Sequence, residues 1–514
     1  MAKCDSFENF MDDDDGAQAL EIGGRLQDRP SQRLIDTVFR QELDAQLPLF
    51  DALSQVDLAH SLVLSENDII PKQASYDLLK WLILLSTWPD DFQPDSASGD
   101  LYTNREAWLK KHTKEAVWLG AGRARREAIT TAYIIKQRQM LLQLSDGLTG
   151  YIRSLVERAE QFQQSLMPDY TYWQSAQPTS FGHYLLGFAY PTLRDMQRLQ
   201  ALYRRLNQSP AGCGSSNGSR LSQSRQRLAE LLGFDGVISH ARDAMWQADL
   251  PIEMVSMLTA IVINLDRLAE DLQIFSSAEF GFIALADGHA RASKIMPQKK
   301  NPFALTYIRG LANNLIGTLA SSAAMGRTPT GQPDNRLTLY GLIPQAIGDV
   351  TKAVELMTEV ILSKKFNEEL ARAKLESSFA SASDLAEVLV LEGGLSFREA
   401  HRLVGYLVRR HLPRGDFAGL TSLEITDCAA ELLGKAIEMP EAVLKHALNS
   451  EAALAARRDI GGTALEAMAV MLDECRQASR QVEQWYKEQQ QRSDAAQVRL
   501  EHAVQTYLAS GTGT

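Results

Sequence analysis

One stretch constrains the fold more than any other, because residues 126–163 contain no proline and follow a helical period. Apolar side chains recur there at spacings of three and four, as at Ile129, Ala132, Ile135 and Leu141. The only glycines in the stretch are Gly147 and Gly150. The pattern predicts one very long helix, and a chain containing it must build its core around that helix.

Further helical stretches are predicted at about 181–206, 251–276, 302–325 and 339–362, and each is long enough to cross a domain. Alternating strand patterns bounded by Asn-Gly or Asp-Gly are almost absent. We therefore predict an all-α fold with a central bundle of long helices.

Changes in composition and helix length divide the chain into four predicted parts. They are an N-terminal helical domain (1–120, with 1–20 disordered), a central bundle (121–365, with a loop at 287–300), a small helical domain (366–476) and a peripheral polar helical tail (477–514). Long loops between rigid helices are where binding and catalysis usually occur, so the loop at 287–300 is of particular interest.

The charge balance and the cysteines exclude several classes of protein. A formal net charge of −11 argues against binding along nucleic acid, and part of it comes from a solvated run at Asp12–Asp15. The four cysteines have no C-x-x-C spacing, which argues against a disulfide framework or a zinc cluster. The chain starts without an apolar signal core, and no apolar run approaches the roughly 20 residues of a membrane span. We expect a cytoplasmic protein with no metal and no cofactor.

Residues 292–301 read Ala-Ser-Lys-Ile-Met-Pro-Gln-Lys-Lys-Asn. This segment resembles the signature loop of the aspartase/fumarase superfamily, Gly-Ser-Ser-x-Met-Pro-x-Lys-x-Asn. Residues 167–183 and 122–127 resemble two further segments of the argininosuccinate lyase branch, in the same order and at similar distances. The chain is thereby identified as a divergent member of this branch, most similar in kind to ethylenediamine-disuccinate-type lyases.

The resemblance implies a homotetramer with a twenty-helix core, in which each active site is built from three subunits. It also implies β-elimination from an N-substituted aspartate, releasing an amine and fumarate. A base must remove a weakly acidic Cβ proton while the adjacent carboxylate becomes a dianionic aci-carboxylate. Cationic and donor groups must already be aimed at that dianion.

By the same resemblance, Ser293 is the base, present as an alkoxide, and Lys299 and Asn301 hold the dianion. Nearby lysines would favour the ionised serine, because positive charge lowers the pKa of a neighbouring acid. The resemblance also implies that Thr171 and Gln177 line the fumarate pocket and that Arg125 lies on the leaving-amine side. Arg126, Lys294 and Met296 are further assigned to substrate binding. Lys300 is interpreted as part of an exposed basic patch.

Several positions depart from the family pattern in a coupled way. The family has histidine where this chain has Tyr172, and its partner glutamate falls at Thr306. A second family histidine falls at Tyr102. Tyr172 is then the candidate general acid for the leaving nitrogen, although it could equally fill the space of the missing ring. His183 and His289 are interpreted as an interior and a loop histidine, respectively.

The departures also bear on substrate choice. The family's Ser-Asp-Arg-Asp stretch appears here as residues 246–249, Trp-Gln-Ala-Asp, and the segment that contacts the arginine moiety, at 329–334, lacks its tyrosine and lysine. Without these groups the site lacks hydrogen-bond partners for a guanidinium, which argues against argininosuccinate as the substrate. The added charges of Arg126 and Lys294 favour a substrate with an extra carboxylate or phosphate. A catalytically retired scaffold protein and a lyase or cycloisomerase for a non-amine substrate remain as alternatives.

Overall fold

The computed structural model describes residues 25–331 and 334–510. The predicted disordered segment 1–20, with its run of aspartates, lies outside the described residues. Cys213, Cys428 and Cys475 are buried thiols that form no disulfide within the described part. None of the helices in this part of the chain combines the length and the apolar character that crossing a lipid bilayer requires.

The N-terminal part is helical, as predicted. It opens with short helical turns at Gln32–Leu34 and Ile35–Phe39, the second of them π-helical. Four helices follow: α1 (Arg40–Gln46), α2 (Phe50–Glu66), α3 (Lys72–Ser86) and α4 (Leu101–His112). Helix α4 begins where it does because the carboxylate of Asp100 caps it, accepting a hydrogen bond from the backbone N–H of Thr103. Short 3₁₀ turns at Leu47–Leu49, Ser96–Ser98 and Lys114–Trp118 connect these elements.

The middle of the chain holds most of the long helices, and the all-α fold class is confirmed. Its helices are α5 (Arg125–Gln161), α6 (Phe181–Leu186), α7 (Ala189–Leu206), α8 (Arg225–Leu231), α9 (Ala241–Trp246), α10 (Asp249–Phe275), α11 (Phe303–Gly326) and α12 (Asp334–Ser363). The predictions for α5, α10 and α11 are correct to within two residues at each end. Helix α12 begins five residues before its predicted start.

The long helices pack side by side into one core. Helix α10 lies along α11, and α12 lies along α5. On α10, Leu258, Leu265 and Leu272 repeat every seven residues and are fully buried or nearly so. Burying each such leucine stabilises the fold by about 1.5–3 kcal/mol. The bundle is therefore held together mainly by apolar stripes of this kind.

Two local features differ from the prediction. A β-hairpin, β1 (Leu166–Thr171) and β2 (Gln174–Ser180), interrupts the helices where no strand was predicted. The single helix predicted at 181–206 is two helices, with a break at Gly187 and Phe188. Pro191 explains the break, because it has no N–H to donate to the carbonyl of Gly187 and its ring would collide with that carbonyl.

The remaining strands are two-residue pairs: β3 (Gln208–Ser209) with β4 (Gly236–Val237), β5 (Ile283–Ala284) with β8 (Lys365–Phe366), and β6 (Arg291–Ala292) with β7 (Lys300–Asn301). The first pair is parallel and the other two are antiparallel. These ladders fasten loops to the bundle and do not build a sheet of their own.

The C-terminal part contains α13 (Glu368–Glu376), α14 (Ala382–Leu391), α15 (Phe397–His411), α16 (Ser422–Leu433), α17 (Glu441–Ala447), α18 (Ser450–Ala456) and α19 (Leu465–Ser510). A separate apolar cluster, from Leu385 to Ala447, gives the small domain its own core.

The interpretation of residues 477–514 as a peripheral tail is wrong for its described part. The boundary placed at 476/477 falls inside α19, which packs against α5. Val482, Leu500 and Val504 are buried in the central core, and Trp485 meets Tyr203 edge to face at 5.3 Å. The buried apolar residues of α19 are few, but they are sufficient to pack the helix against the core.

Candidate functional site

The predicted loop is a short hairpin, here called the lid (residues 291–301). Strands β6 and β7 close its base, pairing Arg291 with Asn301 and Ala292 with Lys300. Within the lid, the N–H of Ser293 donates to the carbonyl of Lys299 at 3.3 Å, and the N–H of Lys299 donates to the carbonyl of Met296 at 3.0 Å. Residues six apart in the sequence are therefore neighbours, so Ser293 and Lys299 share one small surface.

The hydroxyl of Ser293 lies over the backbone of the lid's turn. Its Oγ accepts hydrogen bonds from the N–H of Met296 at 3.0 Å and the N–H of Ile295 at 3.4 Å. Hydrogen bonds donated to an oxygen stabilise its anionic form and lower its pKa. The arrangement is a two-donor cradle that favours an alkoxide at this position.

The lid presents positively charged side chains to solvent. Lys294 and Lys299 are exposed, and within the described residues neither ammonium group makes an ion pair or a hydrogen bond. The side chain of Asn301 is half-buried and donates from Nδ2 to the carbonyl of Arg291 at 3.0 Å. Met296 is 41% exposed on the same turn. A ligand carboxylate next to Ser293 would therefore meet cationic groups available to bind it.

The base of the lid is fastened to the bundle. The ammonium group of Lys300 lies 2.6 Å from the carbonyl of Leu285 and 2.5 Å from Asp287, and this hydrogen bond lowers the pKa of Asp287. His289 hydrogen-bonds with Glu359 and Ser363 at the end of α12. Lys300 is exposed, as interpreted, but its charge is paired with Asp287 and braces the lid.

The tip of the β1–β2 hairpin is a second group of predicted residues. Thr171 pairs with Gln174, so Tyr172 and Trp173 form a two-residue turn, with positive φ angles of 54° and 58°. Turns of this kind favour Asn-Gly, and a bulky residue in the left-handed region costs about 1–3 kcal/mol. Nothing in the sequence around Tyr-Trp signals such a turn, which is why the hairpin was missed.

The strained turn displays one aromatic ring and buries part of another. Tyr172 is 98% exposed, whereas Trp173 packs against Phe275 and Phe280 with ring centroids 6.2 and 6.0 Å away. Because Trp173 holds the turn against the segment that leads into the lid, Tyr172 is projected into solvent. An exposed phenol can donate a proton to a bound partner, which a phenol packed in the core could not do.

The sides of the hairpin contact the start of the small domain. Gln177 donates from Nε2 to the hydroxyl of Ser383 at 3.1 Å, and Thr171 is exposed beside the tip. His183, below the hairpin, hydrogen-bonds through Nε2 with the carbonyl of Gly461 at 2.9 Å. Its contacts fit the predicted interior role.

Arg125 and Arg126 form the third group, at the start of α5. The side chain of Arg125 is 43% exposed, and its Nε lies 3.2 Å from the carboxylate of Asp100. Arg126 is half-buried next to it. Tyr102, at the position of a family histidine, is 4% exposed, and burial raises its pKa to about 12. A hydroxyl of that kind is too weak an acid and too enclosed to donate a proton to a ligand.

Within one chain, Arg125 and Arg126 lie far from the hairpin. Helix α5 separates Arg125 from the hairpin, and its 37 residues span about 55 Å. The hairpin tip contacts Phe275 and Phe280, which precede the lid in the sequence. The hairpin and the segment that leads into the lid therefore lie at the same end of the bundle. Arg125 and Arg126 lie at the other end of α5.

Two other departures from the family pattern have local structural roles. Thr306, at the position of the family's glutamate, is exposed and donates its hydroxyl to the carbonyl of Pro302 at 3.2 Å. The indole N–H of Trp246 donates to the carbonyl of Ser215 at 3.0 Å. Neither contact replaces the acid–base pair of the family.

Two family models match the chain. The family model described as "Lyase" matches residues 97–317, and the model "Argininosuccinate lyase C-terminal" matches residues 379–455. The argininosuccinate lyase of Archaeoglobus fulgidus is 32% identical over 423 residues, which cover 82% of this chain and 85% of that protein. The argininosuccinate lyase of Methanosarcina acetivorans is 31% identical over 452 residues, 87% and 90% of the two chains.

Solved structures extend the comparison to the fold. A crystal structure of EDDS lyase with formate superposes with a TM-score of 0.83 at 24% identity, covering 95% of this chain and 97% of that one. The 3-carboxy-cis,cis-muconate lactonizing enzyme of Pseudomonas putida gives a TM-score of 0.65 at 16% identity, with 88% and 100% of the chains covered. Sequence and fold agree: the chain belongs to the argininosuccinate lyase-like branch of the aspartase/fumarase superfamily, and it is an enzyme of the carbon–nitrogen lyase class.

Proposed function

We propose that this protein catalyses the reversible β-elimination of an amine from an N-substituted aspartate, giving fumarate, and that the substrate is not argininosuccinate. The hydroxyl of Ser293 in its two-donor cradle is the observation that carries this proposal. A serine needs strong stabilisation of its anion to act as a base at neutral pH, and backbone N–H groups provide it without a titratable partner.

The rest of the lid suits the second half of the chemistry. Removal of the Cβ proton by Ser293 leaves two negative charges on the neighbouring carboxylate. Lys299 is positioned by the backbone bonds of the lid to share the face of Ser293, and its charge is unpaired within the described residues. We assign it, with Asn301, to the dianion. In a solved variant of EDDS lyase, which has the same fold, fumarate is bound.

The active protein is proposed to be a homotetramer with shared sites. The length of α5 keeps Arg125 far from the hairpin of its own chain, so a site that uses both needs more than one copy. In this arrangement Ser293 and Lys299 come from one subunit, Thr171, Tyr172 and Gln177 from another, and Arg125 from a third. Apolar side chains exposed on α11, among them Tyr307 and Ile316, fit contact with other copies.

The substrate is proposed to carry a further anionic group on its amine side. Lys294 and Met296 line the turn beside Ser293, and Lys294 adds a charge that forms no ion pair with the described part of the chain. The family has asparagine at the position of Arg126, so the start of α5 also gains positive charge in this chain. An aminocarboxylic acid with acidic substituents matches these charges better than the guanidinium of argininosuccinate does.

Incubation of the purified protein with fumarate and a panel of amines tests the proposal. We expect the ultraviolet absorbance of fumarate to fall with acidic amino acids or aminocarboxylates, whereas argininosuccinate should release no fumarate. A panel in which every amine leaves the fumarate absorbance unchanged would instead support the catalytically retired scaffold. Consumption of a non-amine substrate would support the cycloisomerase alternative.

Tyr172 is proposed as the acid that protonates the departing nitrogen. We expect Tyr172→Phe to lower kcat about 10²-fold, because general acid catalysis typically contributes 10²–10⁴-fold and a leaving amine can take its proton from water in part. Steady-state kinetics on this variant and on the wild type, with thermal unfolding as a control, measures this. Tyr172→Phe with wild-type kcat would leave the phenol with a packing role only.

A further inference from the structure

Asp100 occupies a position that links a helix start to the candidate site. It is 3% exposed, and each of its two carboxylate oxygens has its own contacts. Oδ1 accepts hydrogen bonds from the N–H of Thr103 at 2.9 Å and from its hydroxyl at 2.7 Å, which caps α4. Oδ2 lies 3.2 Å from the Nε of Arg125, the first residue of α5. One buried carboxylate therefore joins two helices.

The contact controls which way the Arg125 guanidinium points. Its Nε faces Asp100, and its Nη1 donates to the hydroxyl of Thr103 at 3.5 Å. Within the described residues, Nη2 makes no hydrogen bond, and the side chain is 43% exposed. An arginine held at Nε and Nη1 in this way leaves Nη2 to meet an incoming carboxylate in a fixed orientation.

The charges around Arg125 indicate that its guanidinium is held in a fixed orientation, and that the region does not simply attract anions. Arg125 and Arg126 share their corner with two carboxylates, Asp100 and Glu42, and Glu42 is half-buried. A corner built only to attract an anion would leave both guanidinium groups unopposed. Here attraction is reduced by the two negative charges, whereas the position of Arg125 is defined by a buried partner. Misplacing a binding group by about 1 Å can cost 10²-fold in rate.

We propose that Asp100 is a positioning residue, which fixes the Arg125 guanidinium so that it meets a substrate carboxylate in the productive orientation. The assignment rests on the proposed function of Arg125 at a site shared between subunits. Asp100 touches Arg125 and not the substrate, so its removal should affect the chemical step through the arginine. Binding of the anion should change less, because the positive charge of Arg125 remains.

The chain allows the two roles of Asp100 to be separated. Asparagine caps helices about as well as aspartate, so Asp100→Asn keeps an acceptor for the Thr103 N–H but places a neutral amide against Arg125. Asp100→Ala removes both the cap and the ion pair. Asp95 is a matched control in the same loop, because it caps the 3₁₀ turn Ser96–Ser98 through Ala97 N–H and forms no ion pair within the described residues.

We expect Asp100→Asn to lower kcat by about 10- to 100-fold, with KM for fumarate within about threefold of wild type and the unfolding temperature nearly unchanged. Asp100→Ala should lose the same activity and also unfold several degrees lower. Asp95→Asn should match wild type in kcat and KM. Asp100→Asn with wild-type kcat, or with a loss of kcat only in proportion to a fall in unfolding temperature, would overturn the assignment.

A second readout does not depend on turnover. Phenylglyoxal labelling followed by peptide mass spectrometry reports how accessible the Arg125 guanidinium is. We expect labelling at Arg125 to be several times faster in Asp100→Asn than in wild type and unchanged in Asp95→Asn. If Arg125 were labelled faster in Asp100→Asn but the wild-type protein consumed no fumarate with any amine, the positioning of Arg125 by Asp100 would stand. The proposed function would then be rejected. If the labelling rate of Arg125 were unchanged in Asp100→Asn, the positioning of Arg125 by Asp100 would itself be rejected.

Discussion

Replacing Ser293 with alanine is expected to lower kcat by about 10²–10⁴-fold, the usual contribution of a positioned base. The hydroxyl accepts two backbone N–H bonds in the lid, and its loss removes the proposed acceptor of the Cβ proton. The unfolding temperature and the oligomer should not change, because Ser293 lies on an exposed loop outside the apolar core. Fumarate consumption and thermal unfolding measure the two effects.

Ser293→Asn is the matched control for the shape of the lid. The asparagine side chain can accept the same N–H bonds from the turn, but it cannot act as a base. We expect both variants to be inactive. If Ser293→Asn retained activity while Ser293→Ala lost it, the hydroxyl would serve only to hold the turn, and another group would be the base.

The sequence was sufficient to predict the features that depend on a local apolar period or on contiguous residues. Helices α5, α10 and α11 were predicted to within two residues because each carries a continuous apolar stripe, with no proline beyond Pro251 in the first turn of α10. The lid was found because its residues are contiguous, so the ladder between β6 and β7 brings Ser293 close to Lys299 without any distant partner.

Features that depend on distant partners could not be predicted. The turn at Tyr172 and Trp173 contradicts local preference, and it is stable because Trp173 packs on Phe275 and Phe280, about a hundred residues away. Helix α19 was interpreted as peripheral because its buried residues, such as Val482 and Val504, are sparse along the sequence and are aligned only by the helix.

The role of Asp100 was missed for a related reason. In the sequence it is an ordinary helix cap, three residues before Thr103, and that pattern gives no sign of a second partner. The ion pair with Arg125 forms only because the start of α5 packs beside the start of α4. A capping residue that is also buried and charged is the signal that could have singled it out, because a buried carboxylate requires a partner for both oxygens.

Lys299→Met is expected to lower kcat by about 10²–10³-fold, the usual effect of removing one donor from a preorganised anion site. The dianion formed after proton removal needs a positive charge already in place. Lys299 is adjacent to Ser293 across the lid, and its ammonium group has no ion-pair partner within the described residues. Methionine preserves the length and apolar body of the side chain, so the change should remove the charge with little effect on the lid backbone.

Lys294→Met removes the same charge from the same loop and separates position from net charge. We expect it to raise KM for the acidic amine while lowering kcat less than tenfold, because Lys294 is assigned to the substrate and Lys299 to the dianion. Steady-state kinetics in the direction of fumarate consumption, with each substrate varied in turn, resolves the two effects. Equal losses of kcat in both variants would mean that the lid acts through its overall positive potential, and Lys299 would then have no special part in holding the intermediate.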